Sequence, residues 1–255
     1  MTHSDLAALR GEPSYVWRSG QERRLQMVAQ WSTLQNARVL EHGGGLGMYA
    51  SQIRRRYAAQ VDLFDIEFER VQEAQPEISS SLVAAAEYLP YATNTYDTVF
   101  SNEVLEHVVD DRVALSEVIR VLKVGGRFVF FVPNRWYPFE THGHYWKSNY
   151  HFGNTPLINY LPDQWRNQLA PHVRAYTKRS LSVLWKQLPV RVVHHSRVYG
   201  GYDNLARRFG GLGRALRGLY ALEGTVLDTW GLSHFVVLEK VETNHLPTPA
   251  HAPMR

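Results

Sequence analysis

The chain has 255 residues, of which 44% are hydrophobic, 20% charged and 12% aromatic, and it contains no cysteine. This composition is typical of a globular protein and excludes low-complexity disorder, disulfide scaffolds, thiol nucleophiles and cysteine-ligated metal sites. The formal net charge of +4 permits acidic partners without requiring nucleic acid. Because no apolar run reaches the roughly 20 residues of a membrane span and no secretory signal pattern is visible, we expect a cytoplasmic location.

The apolar pattern of the first half predicts alternating helices and strands. Helices are predicted at 20–35, 46–58, 66–74 and 110–122, and strands at 37–40, 61–65, 97–101 and 127–132. Gly125-Gly126 is expected to end the last of these helices. Strands that alternate with helices favour an α/β fold with a doubly wound, mostly parallel sheet and helices on both faces.

Residues 134–176 break this alternation, because they are rich in aromatic residues, histidine, asparagine and proline. We interpret them as an insertion after the fifth strand. Beyond them we expect a helix at 177–187, a strand at 190–198, a basic amphipathic helix at 203–220 and a last strand at 234–240. The predicted organisation is a helical cap (1–36), a core (37–133), the insertion (134–176), the C-terminal part of the sheet (177–241) and a flexible tail (242–255).

A glycine cluster, Gly43-Gly44-Gly45-Leu46-Gly47, follows the first predicted strand and precedes a helix. Glycines let the backbone turn tightly and approach a ligand, and the helix N-terminus that follows favours a carboxylate or another anion. Asp65 ends the next predicted strand, where its carboxylate can bond ribose hydroxyls. Since the loop also satisfies G-x-G-x-x-A from Gly45 to Ala50, a nicotinamide-dependent enzyme stays open at this point.

Several further segments follow the glycine loop in a characteristic order. The loop itself is preceded by Val39-Leu40-Glu41-His42, and it is followed by Glu87-Tyr88-Leu89-Pro90-Tyr91, Tyr96-Asp97-Thr98-Val99, Glu103-Val104-Leu105-Glu106-His107-Val108 and the run 117–126. Together they resemble the motifs of class I S-adenosylmethionine-dependent methyltransferases, in the branch that includes the quinone-biosynthesis C- and O-methyltransferases. The resemblance covers about 37–134. It implies a seven-stranded Rossmann-like sheet, with 37–133 as the S-adenosylmethionine-binding core and 234–240 as an antiparallel seventh strand.

The same resemblance implies which residues bind S-adenosylmethionine. Glu41 and the glycines would hold its amino-acid end, Asp65 would take the ribose hydroxyls, and Ile66 would pack on the adenine. Ala85 stands where relatives usually carry an acid for the adenine amino group, so either Glu87 or backbone carbonyls substitute, or cofactor affinity is reduced. The implied cofactor-binding residues are Glu41, Gly43, Gly45, Gly47, Asp65, Ile66, Ala86 and Glu87.

Methyl transfer to a hydroxyl requires alignment and gains roughly 10²–10⁴-fold from a general base. The candidate bases are histidines after the predicted strands: His142, His144 and His107, with His151 a little further on. His107 could instead cap or pack the start of the helix after it, and His194 and His195 are expected to be structural. Glu140, His142 and His144 could also converge on a metal, but we expect no metal because no other ligand set is evident.

Residues 136–165 contain nine aromatic side chains, whereas the 12% average of the chain predicts about four. The excess indicates a lid or acceptor pocket for a ring, a sugar or a lipid-linked molecule, or a small core of the insertion itself. The residues proposed for an acceptor pocket are Trp136, Tyr137, Phe139, Glu140, Tyr145 and Trp146.

These observations predict transfer of a methyl group from S-adenosylmethionine to a small-molecule or carrier-linked acceptor, on oxygen rather than nitrogen or carbon. The alternatives are a non-catalytic cofactor-binding partner subunit and a nicotinamide-dependent oxidoreductase. A nucleic-acid substrate is disfavoured, because Asn102-Glu103-Val104-Leu105 replaces the Asn/Asp-Pro-Pro-aromatic run of amino-directed nucleic-acid methylases. The basic segment 205–220 could contact an anionic membrane surface weakly, or simply cover the sheet with its arginines in water.

Overall fold

The computed structural model describes residues 15–147, 149–203 and 210–242. Its α-helices are α1 (Ser19–Trp31), α2 (Met48–Tyr57), α3 (Phe68–Ala74), α4 (Asp111–Val121), α5 (Asp163–Leu169), α6 (Lys178–Trp185) and α7 (Gly210–Arg217). Its strands are β1 (Arg38–His42), β2 (Gln60–Asp65), β3 (Ser81–Val83), β4 (Tyr96–Asn102), β5 (Leu122–Pro133), β6 (Phe139–Glu140), β7 (His144–Trp146), β8 (Asn149–His151), β9 (Thr155–Pro156), β10 (Val190–Val198) and β11 (Ser233–Lys240).

Seven of these strands form one sheet in the order β10-β11-β5-β4-β1-β2-β3. Strands β1 to β5 run parallel, whereas β11 is antiparallel to both β5 and β10. The predicted doubly wound sheet and its antiparallel last strand are therefore confirmed. The strand order reverses between β1 and β4, and the loops after these two strands meet at the same edge, which is where open α/β sheets bind ligands.

Side chains of the central strands alternate between two apolar layers. In β5, Phe128 and Phe130 pack in the layer that contains residues of α4 and α6, whereas Val129 and Phe131 pack in the layer of α1 and α2. All four side chains are fully buried. Burial on both faces explains why this strand reads as a continuous apolar run.

The junction of α4 with β5 and the strand β3 differ from the sequence-based expectation. Helix α4 ends at Val121 and β5 begins at Leu122, so Gly125-Gly126 does not end the helix as predicted. The glycines lie in a bulge, because the pairing of β4 with β5 jumps from Tyr96–Leu122 to Thr98–Arg127. The short strand β3 was not predicted, since three residues are too few for an alternating pattern to be recognised.

The insertion contains two small antiparallel pairs, β6 with β9 and β7 with β8, followed by α5. A parallel bridge from Asn134 to Tyr176 brings its two ends together beside the sheet. The side-chain amide of Asn134 also donates to the carbonyls of Thr229 and Gly231 at 2.9 and 2.7 Å. The insertion therefore leaves and rejoins the sheet at one place.

The helix predicted at 203–220 lies partly outside the described residues, which resume with α7 at Gly210. Arg217 at the end of α7 donates to Asp203 Oδ1 at 3.0 Å and to Ser19 Oγ at 2.9 Å, so this arginine pairs within the chain. The predicted tail from 243 onward also lies outside the described residues. Across the part of the chain that is described, none of the helices combines the length and apolarity that crossing a bilayer requires.

Candidate active site

A cavity of about 680 Å³ opens at the edge of the sheet where β1, β2 and β4 end. One wall comes from the core and the opposite wall from the segment that ends and follows α5. The lining residues that the sequence predicted are Gly43, Asp65, Ile66, Ala86, Glu87 and His107. Residues that it did not predict include Glu103, Glu106, Asn167 and the run 170–174.

The glycine loop turns tightly beneath one end of this cavity. Gly43 has a φ of +65°, and a Cβ at this position would lie 2.6 Å from Val104 Cγ1, so a larger residue is excluded both by conformation and by space. Gly47 is the N-cap of α2 and has no side chain to accept from the first helical N–H groups. Gly45 and Gly47 do not line the cavity in this structure.

Glu41 supplies the capping acceptor that Gly47 lacks. Its Oε2 accepts from the backbone N–H of Ala50, in the first turn of α2, at 2.7 Å. Burial raises the pKa of Glu41 to about 8, against the opposing effect of the Ala50 hydrogen bond, and the charge of Asp65 adds to the rise. Glu41 thus lies behind the cavity wall and holds the loop and helix together.

Asp65 connects the loop to the end of β2. Its Oδ2 accepts from the N–H of Gly45 at 2.9 Å and its Oδ1 from the N–H of Glu67 at 3.0 Å. A carboxylate offers about four lone-pair positions, so capacity remains for ribose hydroxyls on the cavity side. Ile66 beside it is 52% exposed and presents an apolar surface to the same cavity. These residues fit an adenosyl ligand.

Glu87 anchors a loop in this structure. Its Oε1 accepts from the N–H groups of Val109 and Asp110 at 2.8 and 3.0 Å, just before α4. Ala86 beside it is buried and lines the cavity. The expected contact of Glu87 with the adenine edge stays a prediction, because its described contacts are with this loop.

An acid–histidine cluster of Glu106, His107 and His142 lies at the other end of the cavity. The Oε1 atom of Glu106 is 4.0 Å from His107 Nε2 and 3.7 Å from His142 Nε2. Glu106 and His107 line the cavity, and Glu106 is 1% exposed. Burial raises the pKa of Glu106 well above its usual range, with the charge of Glu103 adding to it, and burial lowers the pKa of His107 to about 4.

Both histidine rings of the acid–histidine cluster are oriented through Nδ1. His107 Nδ1 lies 3.2 Å from the carbonyl oxygen of His172, and His142 Nδ1 lies 3.3 Å from Glu140 Oε1. Because an acceptor faces Nδ1 in each ring, the neutral tautomer carries its proton there and its Nε2 lone pair faces Glu106. The Oε2 atom of Glu140 in turn accepts from Arg166 at 2.8 Å, and both of these side chains are buried.

Glu103 is held next to this cluster by a cation from α1. Arg24 donates to Glu103 Oε1 at 2.8 Å, and the Ser233 hydroxyl donates to the same oxygen at 2.6 Å. Burial acts to raise the pKa of Glu103, but the charge of Arg24, the neighbouring His142 and the hydrogen bonds from Ser233 and Arg24 together outweigh it, so the pKa falls below its usual range. Glu103 has a φ of +57°, a conformation uncommon for a residue other than glycine.

The remaining predicted residues lie away from this cavity. His144 Nδ1 is 3.1 Å from Thr155 Oγ1, and its ring stacks on His151. The residues proposed for the acceptor pocket do not line the cavity: Tyr145 and Trp146 border a separate surface depression, Trp136 and Phe139 are exposed, Tyr137 packs on Phe139, and Glu140 is buried under Arg166. Within the described residues, Glu140, His142 and His144 do not form a ligand set together.

The residues that sequence reasoning missed carried a visible signal. Glu103, Glu106 and His107 follow β4 directly, with two acids at i and i+3 and a histidine at i+4. Only His107 was singled out from that run. The opposite wall at 170–174 had no such signal, because its place depends on contacts with residues far away in the sequence.

Comparison with known proteins gives the family of the core. Residues 40–130 match a family model described as "Methyltransferase domain". A ubiquinone/menaquinone biosynthesis C-methyltransferase of Desulfotalea psychrophila is 34% identical over 45% of this chain and 49% of its own length. A malonyl-[acyl-carrier protein] O-methyltransferase of Hamiltonella defensa is 33% identical over 42% of this chain and 41% of its own. In each of these pairings the match spans less than half of the curated relative.

Solved structures show the same fold over most of the chain. An S-adenosylmethionine-dependent methyltransferase from Mesorhizobium loti superposes with a TM-score of 0.62 at 16% identity, covering 87% of this chain and 98% of that one. A geranyl diphosphate C-methyltransferase from Streptomyces coelicolor, solved with S-adenosyl-L-homocysteine, gives a TM-score of 0.59 at 16% identity and covers 87% of this chain and 79% of that one. At these identities the likeness establishes the fold.

Proposed function

Because residues 40–130 match a methyltransferase domain and the chain has the corresponding fold, we propose that it is a class I S-adenosylmethionine-dependent methyltransferase that transfers a methyl group to an oxygen atom of a small-molecule or carrier-linked acceptor. The observation that carries this proposal is one continuous cavity with Asp65 and Ile66 at one end and Glu106 and His107 at the other. It offers a place for an adenosyl group and, beside it, polar groups for an acceptor.

The cofactor end of the cavity matches the chemistry of an adenosyl ligand. Asp65 would accept from the ribose hydroxyls, Ile66 would cover the adenine ring, and the loop at Gly43 would approach the amino-acid end. Bound S-adenosylmethionine supplies a methyl group already activated by a positively charged sulfur. The chain then has to align the acceptor and exclude water, which can account for roughly 7–11 kcal/mol of the barrier.

The acceptor end supports oxygen as the methylated atom. A hydroxyl has to lose its proton as it is methylated, and the acceptor end of the cavity surrounds it with the polar side chains of Glu106 and His107. Four of the similar curated proteins are named O-methyltransferases, and one of these is a malonyl-[acyl-carrier protein] O-methyltransferase. Because a C-methyltransferase is also among the similar proteins, the choice of oxygen as the methylated atom is the more specific part of this proposal.

Calorimetric titration tests the cofactor first. We expect micromolar binding of S-adenosylmethionine and S-adenosylhomocysteine and no binding of NADH. Asp65→Ala should weaken both adenosyl ligands at least about 10-fold, because it removes hydrogen bonds to a charged acceptor. Glu77→Ala is the matched control, since Glu77 is a half-exposed acid that pairs with Arg55 and does not line the cavity. NADH binding in place of the adenosyl ligands would overturn the proposal.

Methyl transfer is then measured with labelled S-adenosylmethionine and a panel of phenols, catechols and carboxylic acids. We expect the label in an ether or an ester. Cofactor binding without turnover on any panel member or on carrier-linked acids would favour the alternative of a non-catalytic partner subunit. Transfer of the label to carbon would keep the methyltransferase and reject the assignment to oxygen.

A further inference from the structure

We propose that Glu106, His107 and His142 bind a divalent transition-metal cation, such as Zn²⁺ or Mn²⁺, at the acceptor end of the cavity. The argument for cation binding uses only the geometry of these three residues and does not depend on the proposed function. The role that the cation would have toward an acceptor rests on the proposed function.

The three potential ligand atoms already converge. Glu106 Oε1 lies 3.7 Å from His142 Nε2 and 4.0 Å from His107 Nε2, and all three atoms lie within 4.8 Å of one another. Metal–ligand bonds of about 2.0–2.1 Å separate the ligands of a tetrahedral site by about 3.4 Å. The observed separations are too long for hydrogen bonds, and an ion between these atoms requires only a small closure.

Glu106 has no other partner that explains its burial. Both of its carboxyl oxygens are inaccessible and accept no hydrogen bond from a side-chain donor of the described residues, and the neighbouring side chain, Glu103, is itself an acid. Leaving a buried carboxyl in this state is unfavourable, and native proteins satisfy nearly all such groups. A cation at the acid–histidine cluster provides the missing partner.

The orientation of both rings fits a cation. His107 and His142 each have an acceptor at Nδ1, so each neutral ring directs its Nε2 lone pair toward Glu106, where a cation can use it. Metal-binding histidines characteristically donate their other N–H to a carbonyl or a carboxylate. The carbonyl of His172 and the carboxylate of Glu140 have these positions here, and Arg166 fixes Glu140.

The ligand types indicate which cations fit. Two imidazoles and one carboxylate suit Zn²⁺, Mn²⁺, Fe²⁺ or Co²⁺, whereas Mg²⁺ and Ca²⁺ prefer oxygen ligands throughout. Three protein ligands leave a coordination position open, as catalytic sites do. Because Glu106 and His107 line the cavity, we expect that position to face it.

An acceptor hydroxyl at the open position would lose its proton more easily, since a bound cation lowers the pKa of an oxygen ligand. In the transfer, the carbon–sulfur bond of the methyl group breaks as the carbon–oxygen bond forms. The sulfonium becomes a neutral thioether, and the hydroxyl proton leaves to solvent. The chain would thus activate its acceptor and position it with the same three residues.

The test uses the full chain, stripped of metal by a chelator and titrated with ZnCl₂, MnCl₂ or MgCl₂ in a calorimeter. We expect one equivalent of Zn²⁺ or Mn²⁺ and much weaker binding of Mg²⁺. Glu106→Gln should lower the affinity by at least about 100-fold, and Glu140→Gln, which changes the acceptor at His142 Nδ1 and also the partner of Arg166, by about 10–100-fold. His144→Asn is the matched control, because it removes a histidine of the same insertion outside the acid–histidine cluster.

A second readout reports coordination directly. Co²⁺ bound by two imidazoles and a carboxylate should give visible absorption bands that Glu106→Gln removes and His144→Asn keeps. Circular dichroism of the metal-free variants checks folding, and His142→Ala replaces Glu106→Gln if the latter does not fold. Absence of stoichiometric binding, unchanged affinity in Glu106→Gln, or loss of binding in His144→Asn would each overturn the site.

The metal titrations contain neither cofactor nor acceptor, so the two proposals can fail separately. If the chain binds the cation but not the adenosyl ligands, the proposed function is rejected and the metal site is retained. Adenosyl binding without cation binding would reject the metal site alone.

Discussion

The buried acid Glu41 has a structural role in the ligand-free protein, because it caps the first turn of α2. Strand β1 ends in the sheet interior, and the glycines after it cannot cap α2 with a side chain. Glu41 reaches forward to the N–H of Ala50 and satisfies one of the otherwise unpaired donors of the first helical turn. The same burial that makes this bond possible raises the pKa of Glu41 to about 8.

This raised pKa makes stability depend on pH. Glu41 keeps its proton in the folded chain up to about pH 8, whereas the unfolded chain releases it near 4.5. Stability is therefore lost as the pH rises from 4.5 to 8, by at most about 1.4 kcal/mol per pH unit. Glu41→Gln mimics the protonated acid, so its unfolding free energy relative to the unmodified chain should increase between pH 5 and pH 8.

Urea denaturation of the ligand-free protein at several pH values measures this difference. Glu41→Ala is the comparison variant, and it should be about 1–2 kcal/mol less stable than Glu41→Gln throughout, because it also loses the acceptor for Ala50. A difference between Glu41→Gln and the unmodified chain that does not change with pH would show that Glu41 is ionised in the folded state.

At the scale of elements, the insertion is held together by polar contacts as well as by its aromatic residues. Arg166 of α5 donates to Glu140 of β6 and to the carbonyl of Val173, and its side chain is 3% exposed. These bonds tie α5, β6 and the cavity wall to one another. Losing one member would leave a buried charge without its partner.

We therefore expect Arg166→Leu and Glu140→Leu each to destabilise the protein by about 3–5 kcal/mol. The double variant should be less destabilised than the sum of the two, because two apolar residues replace a pair and no unpaired charge remains. The unfolding free energies of the unmodified chain, the two single variants and the double variant, measured by chemical denaturation, form a double-mutant cycle that gives the coupling between the two side chains. Strict additivity would show that the two side chains do not depend on each other.

The elements also show what sequence could predict. The run from β1 through the glycine loop to α2 was recognisable because strand, turn and helix signals are adjacent in the chain. The cavity wall at 170–174 could not be recognised in the sequence. Its position depends on distant contacts, such as the hydrogen bond from Arg174 to the carbonyl of Val109 at 2.8 Å. The aromatic excess of the insertion was read as a pocket, although Trp136 and Trp146 lie at its surface.

Across the whole molecule, α1 connects the N-terminal part of the described chain to the cavity. Arg24 in this helix donates to Asn102 at the end of β4, to Glu103 directly after it and to Ser233 at the start of β11. Its guanidinium also lies 4.6 Å from the centre of the Phe131 ring. One side chain thus joins a helix, a loop of the cavity and three strands of the sheet.

Replacing Arg24 should reveal this connection. Arg24→Met leaves Glu103 without its counter-charge and should cost about 2–4 kcal/mol of unfolding free energy in urea. Adding Glu103→Gln should recover part of that loss, because the unpaired charge is gone. Arg23→Met is the matched control on the same helix: Arg23 pairs with Glu223 instead, so its effect should add to that of Glu103→Gln without coupling. If Glu103→Gln had the same coupling free energy with Arg24→Met as with Arg23→Met, the effect would not come from a specific pairing of Glu103 with Arg24.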